Sequence, residues 1–174
     1  PLAWVVLMGA EYRRARITAF IDPWEHSATS GYQLIQSWVA FRSGGFFGTG
    51  LGESSQKLFF LPAAHTDFIL SVLAEEFGLL GVIFVVLLFA VIVYRGVMVC
   101  LAAPDLFGRL LGMGLAILVG MQAGINMGVV TGLLPTKGLT LPLISYGGSS
   151  LVLTLAMLGV LLNVTAQARQ HTIL

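Results

Sequence analysis

The densest run of groups able to do acid–base chemistry is SSQKLFFLPAAHTDF, residues 54–68. It carries Gln56, Lys57, His65, Thr66 and Asp67, and Glu75 and Glu76 follow. A carboxylate in such a cluster can take a proton from a hydroxyl as a general base. It can equally be structural: Thr66 is able to cap a helix, with Asp67 in the first turn, where a negative charge suits the dipole. A metal site from His65, Asp67 and Glu75 is disfavoured, because His and Asp two apart do not share a helix face and no His-Glu-x-x-His spacing exists. Ser71 beside His65 and Asp67 lacks the Gly-x-Ser-x-Gly elbow of a hydrolase. A second candidate is Lys137, between Pro135 and Gly138 in LPTKGLTLPLISYGG, residues 134–148. It is either a phosphate-binding cation or a lysine whose stem snorkels at an interface. Gln122 and Asn126 share one helix face inside an uncharged run, where polar side chains usually join neighbouring helices. Gly44, Gly45, Gly48, Gly50 and Gly52 have neither a Gly-Lys-Ser/Thr ending nor the dinucleotide pattern, so they read as tight turns using positive φ.

The elements that position these groups are set by apolarity. Of 174 residues, 57% are hydrophobic and 10% charged, against roughly 25% charged in soluble domains. Mean hydropathy is +0.92. A chain this short has too little interior for so much apolar surface, which excludes both a soluble globule and disorder. The net charge of +1 gives no reason to expect nucleic acid, and the single Cys100 can form neither an internal disulfide nor a thiolate cluster. Three uncharged runs, 77–94, 110–136 and 138–168, are each long enough to cross a bilayer core of roughly 30 Å at about 1.5 Å per residue. They predict spanning helices at 77–99, 110–133 and 148–166, with Pro142 and Gly147-Gly148 breaking the start of the last. Residues 1–10 read as the end of another membrane helix. Connections follow at 100–109 and 134–147, and 167–174 is a tail.

Residues 11–76 form a long polar segment holding five of the nine basic and seven of the eight acidic residues. A loop this long is functional or disordered, and its Trp24, Trp38, Phe41, Phe46, Phe47, Phe59 and Phe60 argue against disorder. Interfacial pieces lying on the bilayer are expected, with Trp at headgroup level. Tyr32–Phe41 has helical spacing. Charge leaves the sidedness open, since long loops escape the positive-inside rule.

DPW (22–24), GYQLIQS (31–37), SGGFFGTGLGESSQKLFFLP (43–62), AHTDFILSVLAEEFG (64–78) and PTKGLTLPLISYGGSS (135–150) resemble the SEDS family (shape, elongation, division, sporulation: FtsW, RodA, SpoVE). DPW, AHTDF and PTKGLTLPLISYGGSS are most like its FtsW branch. The resemblance implies the C-terminal half of a ten-helix, all-α polytopic membrane protein of the bacterial plasma membrane, acting at the division septum. Residues 11–76 are then its large extracytoplasmic loop, 134–147 face the same side, and 100–109 and 167–174 face the cytosol. It implies a glycosyltransferase that polymerises lipid II, the undecaprenyl-pyrophosphoryl disaccharide-pentapeptide, into peptidoglycan strands. Its partners would be a class B penicillin-binding protein transpeptidase and other divisome proteins.

The family's catalytic aspartate maps onto Asp67, and its lysines onto Lys57 and Lys137. Gln56 and His65 fall beside them as substrate-binding candidates. Many members have Glu where Ala63 stands, so a role for that Glu does not carry over. One base without a second carboxylate suggests single displacement with inversion. Lys57, Lys137 or a divalent cation would stabilise the leaving diphosphate, and no other cofactor is implied. The rival readings are a lipid II flippase and a non-catalytic divisome scaffold. A flippase path is usually marked by intramembrane charges, and Arg95, near an end, is the one charge inside the predicted spans.

Overall fold

The computed structural model describes residues 11–29, 31–54 and 66–173 and is all-helical over them. Gln56, Lys57, Ala63 and His65, and residues 1–10, lie outside the described residues. The helices are α1 (Glu11–Ile21), α2 (Tyr32–Gly44), α3 (Ile69–Leu101), α4 (Leu106–Thr131) and α5 (Gly148–Ile173). Three of them are long and apolar enough to cross a membrane: α3, α4 and α5 over Gly148–Ala168.

Tyr32–Gly44 is helical, as the spacing at 32–41 predicts. Leu34, Ile35, Ser37 and Ala40 are its buried face. Ser37 Oγ donates to Val130 O on α4 (2.7 Å) and receives Ser71 Oγ of α3 (2.8 Å), so one hydroxyl pins three helices. Trp38 Nε1 donates to Thr131 O (3.1 Å). The segment is therefore docked on the bundle through specific bonds.

Helix bounds differ from the sequence expectations for identifiable reasons. Helix α3 starts at Ile69, with Glu75 and Glu76 buried in its first turns, and is interrupted at Gly78, next to the start expected at 77. The next starts at Leu106, not 110. Asp105 caps it, its carboxylate accepting from Gly108 N (2.6 Å), and Arg109 turns back to Ala103 O (3.1 Å). It ends at Thr131, not 133, because Gly132 adopts φ 81° as a left-handed cap and Leu133 N returns to Gly128 O. The last helix runs beyond 166 to Ile173, since polar residues end a membrane span but not a helix.

α3 is broken at Gly78, with φ 66° and ψ −162°. A break in a helix frees carbonyls before it and N–H groups after it. The glycine segment satisfies both sets. Thr49 N donates to Glu75 O (2.9 Å) and Gly50 N to Glu76 O (3.1 Å); Leu79 N donates to Gly45 O (2.9 Å) and Leu80 N to Phe46 O (3.4 Å). Gly45, Gly48, Gly50 and Gly52 have positive φ, which is the tight-turn reading of this segment. Glu75 locks the arrangement, its carboxylate accepting from Ser43 Oγ (3.2 Å) and from Ser54 Oγ.

A Cβ on Gly78 would stand 2.5 Å from Gly48 N and 2.6 Å from Phe46 O. Gly78→Ala therefore combines a backbone conformation costing about 1–3 kcal/mol with a clash that must push the glycine segment away. The expected outcome is a markedly lower unfolding temperature in detergent. Gly45→Ala, with open space at its Cβ, should pay only the backbone cost and lose less.

Candidate functional site

Asp67 lies in the turn 66–68, two residues before α3, rather than in the helix's first turn. Phe68 occupies the capping position without a side-chain capping bond, so the Asp67 carboxylate is not spent on the helix end. It accepts no hydrogen bond from a described residue.

Two staples hold this turn against the loop joining α4 to α5. Asn126 Nδ2 donates both to Asp67 O (2.9 Å) and to Leu139 O. Both partners are carbonyls, which can only accept, so the amide NH₂ must face them. Ser145 Oγ donates to Thr66 O and accepts from Leu141 N (2.7 Å). Gln122 Nε2 adds a bond to Thr140 O (3.2 Å), and Thr140 Oγ1 meets Ser150 Oγ of α5 (2.7 Å). Gln122 and Asn126 thus do not join neighbouring helices; they anchor loop backbone. The loop needs them because it folds back into the bundle. Leu141 and Pro142 are buried, and Leu141 packs in one core cluster with Phe68, Val119 and Ala123. Irregular backbone at that depth must find internal partners. Leu143, with φ 65°, is the strained non-glycine residue that lets the loop turn out again.

The consequence is a juxtaposition of the two candidate loops. A Cβ on Gly138 would stand 3.1 Å from Asp67 Oδ2. The backbone next to Lys137 therefore faces the Asp67 carboxylate across the space that a side chain at 138 would fill. The Lys137 side chain is exposed, and its carbonyl accepts from Leu139 N (2.9 Å). α1 completes the site: Arg16 Nη1 donates to Thr136 O (3.1 Å). Burial pushes the Asp67 carboxyl above the ordinary carboxylate value, and the nearby Arg16 guanidinium pulls partly the other way.

The structure brings Asp67 and Lys137 together, while Gln56, Lys57 and His65 are outside the described residues. Glu75 stands apart, its carboxylate occupied by Ser43 and Ser54. Ser71 is fully buried against Ser37 and is no nucleophile. Among the described residues no three His, Cys, Asp or Glu side chains group as cation ligands. The described donor set thus does not make up a metal site. Arg16, Asn126 and Ser145 are the participants that sequence reasoning missed. Asn126 carried a signal, as an amide inside an apolar run; Arg16 had none beyond its charge.

Comparison with known proteins places this geometry. The FtsW/RodA/SpoVE cell cycle protein model matches residues 1–170. The probable peptidoglycan glycosyltransferase FtsW of Geobacter metallireducens is 57% identical over 97% of this chain and 45% of its own length. The stage V sporulation protein E of Bacillus subtilis is 49% identical over 94% of this chain and 45% of its own. The chain spans about half the length of the curated relatives it matches. Among solved structures, a chain from a peptidoglycan synthase complex that coordinates polymerization and crosslinking aligns at TM-score 0.70. It is 35% identical and covers 92% of this chain and 44% of that one. A mutant of the rod shape determining protein RodA of Thermus thermophilus aligns at TM-score 0.59 and 39% identity, over 76% of this chain and 40% of that one.

Proposed function

Because the chain belongs to the FtsW/RodA/SpoVE family of cell cycle proteins, we propose that it forms the C-terminal part of a peptidoglycan glycosyltransferase that polymerises lipid II during septal wall synthesis. The observation that carries this reading is the close approach of the Asp67 carboxylate to Gly138, beside Lys137, where an added Cβ would stand 3.1 Å from Oδ2, at one end of the spanning helices. A substrate with a lipid tail and a sugar–diphosphate head needs its chemistry at that level. On this reading the protein sits in the bacterial cytoplasmic membrane, with Asp67 and the 134–147 loop facing outside, and works with a class B penicillin-binding transpeptidase and other divisome proteins. The relatives' names support the activity and the membrane, and the synthase complex supports a crosslinking partner.

The step is a displacement at an anomeric carbon. Asp67 accepts the proton of the acceptor sugar hydroxyl as its oxygen attacks, and the bond to the diphosphate breaks, inverting the centre. A carboxyl pKa raised by burial makes the ionised carboxylate a stronger base. Lys137 stabilises the charge growing on the diphosphate; Lys57, Gln56 and His65 are assigned to the same substrate.

Supplying lipid II to the complete protein with its transpeptidase, and resolving glycan length on a gel, tests this. Lys137→Met keeps length and removes charge. Polymerisation should fall at least about tenfold, or 1.4 kcal/mol of transition-state stabilisation. An unchanged rate would leave Lys137 a snorkelling residue. The sidedness has its own check. Glu25 is exposed and Cys100 buried, so in cells Glu25→Cys should react with a membrane-impermeant maleimide. Reaction after lysis alone would invert the topology.

A further inference from the structure

The glycine segment does more than cap the break in α3. Its tip carries Phe46, Phe47 and Leu51, whose relative exposures are 68%, 84% and 74%. Three large apolar side chains so open to their surroundings are costly in water, and nothing in the acid–base site uses them. Their depth is fixed by backbone bonds. Gly45 O and Phe46 O accept from Leu79 N and Leu80 N, the first residues after the Gly78 break. From there the helix, long and apolar enough to cross a membrane, exposes Leu79, Leu80, Ile83 and Phe84 as an apolar surface along its flank. The tip is therefore held level with the beginning of that surface and continues it sideways.

The chemistry grades as an interface does. Between the end of α2, the tip and α3 lies a cavity of about 360 Å³ lined by Phe41, Arg42, Gly45, Phe46, Ala74 and Leu79. Arg42, exposed in the last turn of α2, is its cation. Aromatic rings at acyl-chain level with a guanidinium beside them match a phospholipid, whose chains take the rings and whose phosphate takes the arginine. We propose that residues 45–51 form a membrane-inserted wedge: Phe46, Phe47 and Leu51 enter the leaflet on the Asp67 side, and Arg42 binds a lipid phosphate. The wedge grips α3 at the break, so it fixes the depth of the short helical piece 69–77 that follows the Asp67 turn. The inference rests on the membrane-spanning helices and not on the glycosyltransferase reading.

Its test is the depth of a nitroxide in the complete protein, with Cys100→Ala and any other cysteine replaced, reconstituted in phosphatidylglycerol–phosphatidylcholine nanodiscs. Labels at Phe47→Cys and Leu51→Cys are compared with Phe84→Cys as the lipid reference and Glu25→Cys as the water reference. The wedge predicts collisions with oxygen and protection from a water-soluble nickel chelate, as at position 84. Nickel accessibility like that at 25 overturns it. Exclusion of both reagents also overturns it and assigns the patch to a protein contact. Should cysteine at 47 unfold the segment, Phe47→Trp keeps the aromatic. Brominated acyl chains should then quench an emission component that the parent protein lacks, and an unquenched, water-like emission refutes the wedge. With Arg42→Gln, the label at 47 should shift toward nickel accessibility; an unchanged depth removes the phosphate contact.

Discussion

Asp67→Asn should lower the polymerisation rate of the complete protein by about 10²–10⁴, the usual loss when a positioned base is removed. The variant should fold at least as well as the parent. The amide keeps the shape of the side chain and disturbs no bond the structure records, since Asp67 contributes its backbone carbonyl, not its carboxylate, to Asn126. The sign of the electrostatics supports this. Burial raises the carboxyl pKa, against the pull of Arg16, so the charged form is disfavoured in the folded protein. That cost applies above the raised pKa and is relieved as pH falls through it; the uncharged amide never incurs it. Activity runs the other way with pH, because the base must be ionised. The acid limb of the rate profile should lie higher than an unperturbed aspartate would put it. Arg16→Gln, which removes the lowering influence, should move that limb to still higher pH. A limb that stays put would mean that Asp67 does not titrate in the reaction.

Asn126→Leu should cost about 1–3 kcal/mol of stability for buried acceptors left unpaired, and about 10² in rate if the turn and the loop drift apart by an ångström. Asn126 touches no substrate in this account. Its one NH₂ group bonds Asp67 O and Leu139 O, so it sets the distance between the base and the Lys137 loop. Simple destabilisation reduces the active fraction and leaves the pH profile in place. Loss of positioning alters the burial of Asp67 and shifts the acid limb. A normal rate per folded molecule and an unmoved limb would make Asn126 a structural anchor only.

The spans were legible because an uncharged run about as long as a bilayer core is thick has few other uses, and the amphipathic spacing of 32–41 likewise marked α2. The glycines at 44–52 announced turns, though not what the turns were for. That needed Gly78, which looks ordinary in AEEFG. It becomes the hinge of α3 only when the carbonyls of Glu75 and Glu76 meet Thr49 N and Gly50 N. Glu75 misled for a related reason. A charge signals a desolvation cost but not its remedy, and Ser43 and Ser54, which stabilise it inside, lie 32 and 21 residues away.

The site divides along the same line. Asp67 and Lys137 stood out through their motifs. The side chains that bring them together act over separations of 59 residues for Asn126 to Asp67 and 120 for Arg16 to Thr136. No local pattern encodes such pairings. An amide within an apolar run announces that some buried partner exists, but Asn126 pairs with loop carbonyls rather than with another helix.

The central claim is that Asp67 is the base of a polymerisation rather than part of a lipid path, and one parallel measurement addresses it. Parent and Asp67→Asn proteins, each complete and with the transpeptidase partner, are reconstituted in vesicles with labelled lipid II, and glycan strands and lipid II translocation are both recorded. The account predicts strands from the parent, none from Asp67→Asn, and equal translocation in the two. Strands of normal length from Asp67→Asn, or lost translocation with polymerisation intact, would contradict it.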